Sequence, residues 1–231
     1  MNAAIPASDA HPRRPNAAAE GAGGRSWSLT ALMALLGHWD NRVETTLLQI
    51  SRNNFRGEFV TVRPIRMLGD PVLRDHAQPV VDFDKALRKL VKDMMQTMRK
   101  APGVGLAAPQ IGVPLRLFVY DMYDGTKGCV ANPELTVLDE TPVTTEEGCL
   151  SLPGHQYPLA RAAAVEVRGH DVNGDLIAVR PTGEEDDPAY FARCLQHEVD
   201  HLDGTVYVDL LPRRLRAKAL RAGPILDRER R

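Results

Sequence analysis

The sequence predicts an α+β domain in which mostly antiparallel β-sheets surround one central helix, with a packed helix before it and another at the C-terminus. Three observations lead there. Residues 187 to 204 carry start, stripe and stop signals of a helix around His197-Glu198-Val199-Asp200-His201. Residues 83 to 99 repeat apolar side chains at helical spacing, and short β-prone runs elsewhere include a pair joined by Asn173-Gly174, a strong hairpin signal.

Residues 1 to 28 are rich in Ala, Gly, Pro and Arg without periodicity, which predicts disorder. Leu32, Leu36, Trp39, Val43, Leu47 and Ile50 then step by three and four, predicting an amphipathic helix to about Ser51. The two segments make an N-terminal extension over 1–60, ahead of a main domain at 61–212 and a basic tail at 213–231. Leu29 to Leu36 resembles a signal-peptide core, but Gly37-His38-Trp39-Asp40 offers no small-residue cleavage site. Asp9, Glu20, Asp40 and Glu44 also make the segment less acid-poor than a usual transit peptide. A cytoplasmic location is therefore expected, with organellar targeting as the lesser alternative.

In the main domain, Phe83, Leu87, Leu90, Val91, Met94, Met95 and Met98 predict a helix over Asp84 to Arg99 whose methionine stripe is core. Strands are expected at Leu115–Asp121, Glu134–Leu138, Ala163–Gly169, Leu176–Arg180 and Thr205–Leu211. For the central helix, Asp187-Pro188 supplies the N-cap and first turn, and Gly204 a left-handed stop. Phe191, Leu195, Val199 and Leu202 form its buried stripe. Tyr190, Cys194, His197 and His201 follow a second line about one turn apart.

At 231 residues, 43% apolar and 26% charged, the chain has the makeup of a soluble protein with one substantial core. A net charge of −1 argues against an all-over nucleic-acid-binding surface, and no stretch approaches the ~20 apolar residues that cross a bilayer. Three cysteines do not make a disulfide framework, and a thiolate ligand among them needs a reducing compartment.

The helix carries the chemistry. Imidazoles four residues apart share one face and reach a single metal ion, while Glu198 between them is placed to move protons for a bound water. Two histidines do not complete such a site. Tyr207 stands where the longer His-Glu-x-x-His-x-x-Gly-x-x-His pattern needs its last histidine. Cys194 lies seven residues from His201, about 10.5 Å along a helix axis, too far for one ion. Cys129, in Gly128-Cys129-Val130-Ala131, reads as a small buried hydrophobe. Cys149 lies in Glu147-Gly148-Cys149-Leu150-Ser151, with a carboxylate and a flexible glycine before it.

A third segment is Gly103-Val104-Gly105-Leu106-Ala107-Ala108-Pro109-Gln110, whose spacing fits neither nucleotide-binding fingerprint. The three segments in this order resemble the motifs of the peptide deformylase family: Gly-x-Gly-x-Ala-Ala-x-Gln, Glu-Gly-Cys-x-Ser and His-Glu-x-x-His. Ile65 to Leu73 is similar to that family's N-terminal strand and turn, and the resemblance covers about residues 62 to 212. It implies a hydrolase that removes the formyl group from the N-terminal formylmethionine of new polypeptides by attack of a metal-bound hydroxide. Cys149, His197 and His201 would hold the metal, iron(II) being favoured over zinc, nickel or cobalt. Glu198 would carry the proton, and the Gln110 amide and the Leu150 backbone N–H would steady the oxyanion. Glu147 would brace the site, with Arg161 a candidate partner for it.

For the substrate, the formylmethionyl nascent peptide, the resemblance implies that Val104 and Gly105 run along its backbone. Tyr190 and Cys194, on the helix face of His197, are candidates to line the methionine pocket with Val104. The tail places eight Arg and Lys residues against Asp227 and Glu229, which reads as a solvated terminal helix or as a ribosome-docking surface held by phosphate contacts. Two rivals remain: a metallopeptidase or other amidase using the same histidines, and a catalytically silent metal-stabilised protein that docks on the ribosome. The retained Glu198 weighs against the second, because a purely structural site has no use for an acid–base group.

Overall fold

The computed structural model describes residues 60–183 and 187–223. The predicted disorder over 1–28, the helix over 32–51 and the break at Gly223-Pro224 lie wholly or partly outside them.

A short 3₁₀ turn, Pro71–Leu73, precedes helix α1, Lys85–Lys100. Strands β1, Gly105–Ala107, β2, Leu117–Asp121, β3, Lys127–Cys149, β4, Leu152–His170, and β5, Leu176–Val179, follow. Three helices close the described chain: α2, Pro188–Leu202, α3, Tyr207–Leu210, and α4, Arg213–Ala222. The five strands form one antiparallel sheet in sequence order, β1-β2-β3-β4-β5. The architecture is thus α+β, with a single sheet where the sequence predicts sheets.

The local signals for the helices hold. Asp84 accepts a hydrogen bond from the Leu87 amide at the start of α1, and Asp187 accepts one from Tyr190 at the start of α2. Gly204, just past α2, has φ +73°, and a Cβ there would lie 2.5 Å from the Arg74 carbonyl oxygen. Only glycine fits both the left-handed backbone and that close approach. Phe191, Leu195, Val199 and Leu202 are buried with Phe118, Val130, Val165 and Val167, so α2 lies on the sheet by the stripe that its sequence shows. Met94 and Met98 of α1 are fully buried in a second cluster with Leu106, Leu117 and Val119.

The expected strand at Thr205–Leu211 is instead helical over Tyr207–Leu210. Val206, Tyr207, Val208 and Leu211 are all buried, a pattern that does not alternate, and the Asp209 carboxylate accepts from the Val206 amide as a helix cap. Three β-prone residues in a row thus mimic a strand. The strand expected near Ile65 is not assigned as one, although Arg66 and Leu68 donate strand-like bonds to the Gln110 and Ser151 carbonyls. The run expected at Glu134–Leu138 is part of a far longer strand. Register shifts at Val137/Asp139 and Asp139/Pro142 let it pass through Asp139-Glu140-Thr141-Pro142, which reads locally as a turn.

Asp93 of α1 is fully buried and ties the entering chain to that helix. It accepts from the Thr61 amide (2.8 Å), from Arg63 (3.1 Å) and from Lys89 (2.9 Å). Burial alone would raise its pKa, but these donors outweigh burial and hold it below the ordinary carboxylate value. A carboxylate depressed in the folded state contributes stability above its unfolded pKa and loses it as pH falls through the folded one. Stability should therefore decline as pH drops below about 4, and Asp93→Asn should flatten that decline while lowering stability at neutral pH. Melting temperature measured from pH 7 to pH 2 checks both parts.

Candidate active site

The motif segments converge on one cleft of about 730 Å³, bounded by the Gly103–Gly105 segment, the β3–β4 turn and α2. His197 and His201 stand one turn apart on α2, with ring centroids 4.9 Å apart and rings nearly perpendicular. Cys149 ends β3, where a register shift between Gly148 and Cys149 turns the strand just before its hairpin. Its Sγ lies 3.2 Å from His201 Nε2. One donor atom from each of Cys149, His197 and His201 lies within 4.8 Å of the others, and all three residues are buried.

A metal ion fits this arrangement. Burial would raise the Cys149 thiol pKa, yet the imidazoles of His201 and His197 outweigh burial and hold it well below the ordinary thiol value. The same thiolate, with Glu147, keeps the His197 pKa well above its usual value despite burial. A divalent cation would take the place of the proton on His197, held by the thiolate and the two imidazoles. One side of the trio also faces a polar group with nothing to bond: Glu198 Oε2 is buried and has no hydrogen-bond partner among the described residues. Burial pushes the Glu198 carboxyl up to about 7, the histidines pulling against it.

Gln110 enters from the 3₁₀ turn Ala108–Ile111 that follows β1. Its Oε1 accepts from the Ala107 amide at 2.8 Å, which leaves Nε2 pointing at Cys149 Sγ (3.5 Å) and Ser151 Oγ (3.3 Å). Val104, Gly105, Leu150, Tyr190 and Cys194 also line the cleft. Cys194 is buried, with its thiol 3.7 Å from the Val104 carbonyl oxygen, while Tyr190 is exposed at the rim. His201 lies beneath the cleft surface, fully buried.

Glu147 is the hub behind the site. Its carboxylate accepts from His197 Nδ1 at 2.8 Å and from Arg161 Nε and Nη2 at 3.0 and 2.7 Å. Its pKa stays well below the carboxylate range because His197 and Arg161 overcome the effect of burial. Arg161 also donates to Asp200 at 2.6 Å. Glu147 and Arg161 are both expected from the sequence, but Arg193, which donates to the same carboxylate at 2.7 Å, is not. The signal that could have found it is helical spacing: Arg193 stands four residues before His197.

A family model described as polypeptide deformylase matches residues 62–217. The chain belongs to the peptide deformylase family. A peptide deformylase of Acidothermus cellulolyticus is 53% identical over 163 residues, 71% of this chain and 86% of that relative. Peptide deformylase 1 of Streptomyces avermitilis is 50% identical over 168 residues, 70% of this chain and 75% of that relative. Among solved structures, the peptide deformylase of Thermus thermophilus is 44% identical with a TM-score of 0.63, covering 70% of this chain and 92% of its own. Peptide deformylases are metal-dependent, and Cys149, His197 and His201 make the group here that could hold the ion.

Proposed function

We infer that this chain is a metal-dependent peptide deformylase, removing the formyl group from the N-terminal formylmethionine of newly made polypeptides. The observation that carries the reading is the meeting of Cys149, His197 and His201 with Glu198 next to His197, its buried Oε2 having no hydrogen-bond partner among the described residues. Three protein ligands with a side left open is the pattern of a catalytic metal site, as opposed to a structural one. Held by Cys149, His197 and His201, a divalent ion would supply Lewis-acid polarisation of the formyl oxygen and a water of lowered pKa.

The protein groups divide the remaining work. Glu198 takes a proton from the attacking water and delivers it to the departing amine nitrogen. Water oxygen becomes bonded to the formyl carbon, the C–N bond breaks, and formate and a free amino terminus leave. The Gln110 amide, anchored by its Oε1, and the Leu150 backbone N–H donate to the oxygen that gains charge. Val104 and Gly105 offer backbone groups to an extended peptide, which gives affinity without reading its sequence. Tyr190 and Cys194 border the methionine side chain. Enlarging Cys194 to Phe should raise KM for formyl-Met peptides several-fold, as steady-state kinetics will read.

Iron(II) is the metal we favour; a thiolate with two imidazoles also suits zinc, nickel or cobalt. Work on nascent chains fits a bacterial cytoplasmic location. For the tail, docking on the ribosome is supported by α4, where Arg213, Arg214 and Arg221 are exposed while Ala219 packs inward. Reversing those three charges should weaken co-pelleting with ribosomes at low salt and spare the fold. Equal pelleting would assign α4 to stability alone.

The decisive assay is formate release from formyl-Met-Ala-Ser by protein purified anaerobically and loaded with iron(II), with a chelator-treated control. Release abolished by the chelator is the expected result. Internal peptide cleavage, or no turnover with iron(II), cobalt and nickel alike, would overturn the reading.

A further inference from the structure

We propose that Arg193 is a positioning residue for the metal site, acting through Glu147 to fix the ring of His197. The inference rests on the reading of Cys149, His197 and His201 as metal ligands.

Arg193 is 3% exposed and sits one turn before His197 on α2. Its Nη1 donates to Glu147 Oε2 at 2.7 Å, and its Nη2 donates to the Val143 carbonyl oxygen of β3, also at 2.7 Å. A carboxylate has about four lone-pair positions. Glu147 has four donors on it: His197 Nδ1 and Arg161 Nη2 on Oε1, Arg161 Nε and Arg193 Nη1 on Oε2. Its acceptor capacity is filled, so the carboxylate plane is fixed from both sides. That plane sets the direction in which Oε1 meets His197 Nδ1, and hence where the opposite ring nitrogen points.

The two arginines are not equivalent. Arg161 comes from β4 and divides its guanidinium between Glu147 and Asp200, so it would follow Asp200 if that half-buried group moved. Arg193 comes from the same helix as the metal histidines and grips β3 at two points, the Glu147 side chain and the Val143 backbone. It therefore fixes the distance between α2 and the strand that delivers Cys149. The remaining donor of the trio, His201, has a buried Nδ1 with no hydrogen-bond partner among the described residues, so nothing equivalent orients its ring. Orientation of the site consequently depends on the Glu147 clamp.

The test compares wild type, Arg193→Lys and Arg193→Gln. Lysine keeps the charge but cannot span Glu147 and Val143 with a planar fork, and glutamine keeps a hydrogen bond but not the charge. Folding is followed by circular dichroism, cobalt(II) binding by competition with a chelator, and site geometry by the cobalt(II) visible absorption bands. Both variants should bind cobalt(II) about 10- to 100-fold more weakly, with shifted bands, and lysine should recover less than an order of magnitude of the loss. On formyl-Met-Ala-Ser, kcat should fall with KM nearly unchanged.

Lowered thermal stability with unchanged cobalt(II) affinity and bands would make Arg193 merely structural and overturn the proposal. A raised KM with unaltered metal binding would make it a wall of the peptide cleft and overturn it equally. Failure of wild-type protein to bind cobalt(II) would instead strike the metal-site reading itself. If the glutamine variant does not fold, the lysine variant carries the same comparison.

Discussion

Glu198→Gln is expected to lower kcat/KM for formyl-Met-Ala-Ser at least ~100-fold while leaving metal content at the wild-type level, the scale of general acid–base catalysis. The substitution changes little in volume, and the three proposed ligands lie on other side chains. What it removes is the group able to hold a proton between the water and the leaving amine. The pH profile gives an independent reading. A base must be ionised to work, so activity should fall with acidity through the pKa of Glu198, which burial places at about 7 before the charge of a metal pulls it lower. Below that point log kcat/KM should drop with a slope near one, and the residual activity of the glutamine variant should lack that limb. Near-wild-type turnover in Glu198→Gln would mean that another group carries the proton.

Gly105→Ala should also slow the reaction strongly, though less, with no chemical group lost. A Cβ at position 105 would lie 2.3 Å from Glu198 Oε1 and 2.9 Å from Cys194 Sγ, closer than real contacts allow. The strand backbone has no left-handed strain at this position, so the methyl group acts only by pushing what it touches. Both neighbours are buried and have little room to yield, so the Glu198 carboxylate must shift. A displacement of about 1 Å at a reacting centre can lose on the order of 100-fold in rate, and we expect a loss of ~10- to 100-fold in kcat for Gly105→Ala with metal content retained. Gly103→Ala is the internal control. The atoms nearest its Cβ would be those of the Leu150 side chain, which can rotate away, so its activity should stay within about threefold of wild type. Equal losses in the two variants would show that the strand as a whole is perturbed, and that the contact with Glu198 is not special.

Much of the fold and the site is legible in the chain itself. The caps of α2, the stripe Phe191, Leu195, Val199 and Leu202, and the hairpin at Asn173-Gly174 are all encoded within a turn or two of the residues concerned, and the structure has each. The motif residues, too, come together at one cleft, although residue chemistry alone sets Cys129 and Cys194 aside without naming the third ligand. Thr205–Leu211 reads wrongly as a strand because its burial comes from neighbours on several sides, including Tyr157 and Leu159 of β4, whereas alternation assumes one wet face. Strand β3 reads too short because bulges let it continue through residues that locally favour a turn.

By itself, then, the sequence determined helices α1 and α2, the chemical types in the site and the family, since spacing and residue chemistry are local properties of the chain. Only the tertiary structure decided which distant groups meet: Glu147 with Arg193 across 46 residues, Cys149 with His201 across 52, and Gly105 against Glu198. Those meetings depend on strand register and on how α2 lies against the sheet. Both are set by packing summed over the whole core, which no short segment contains.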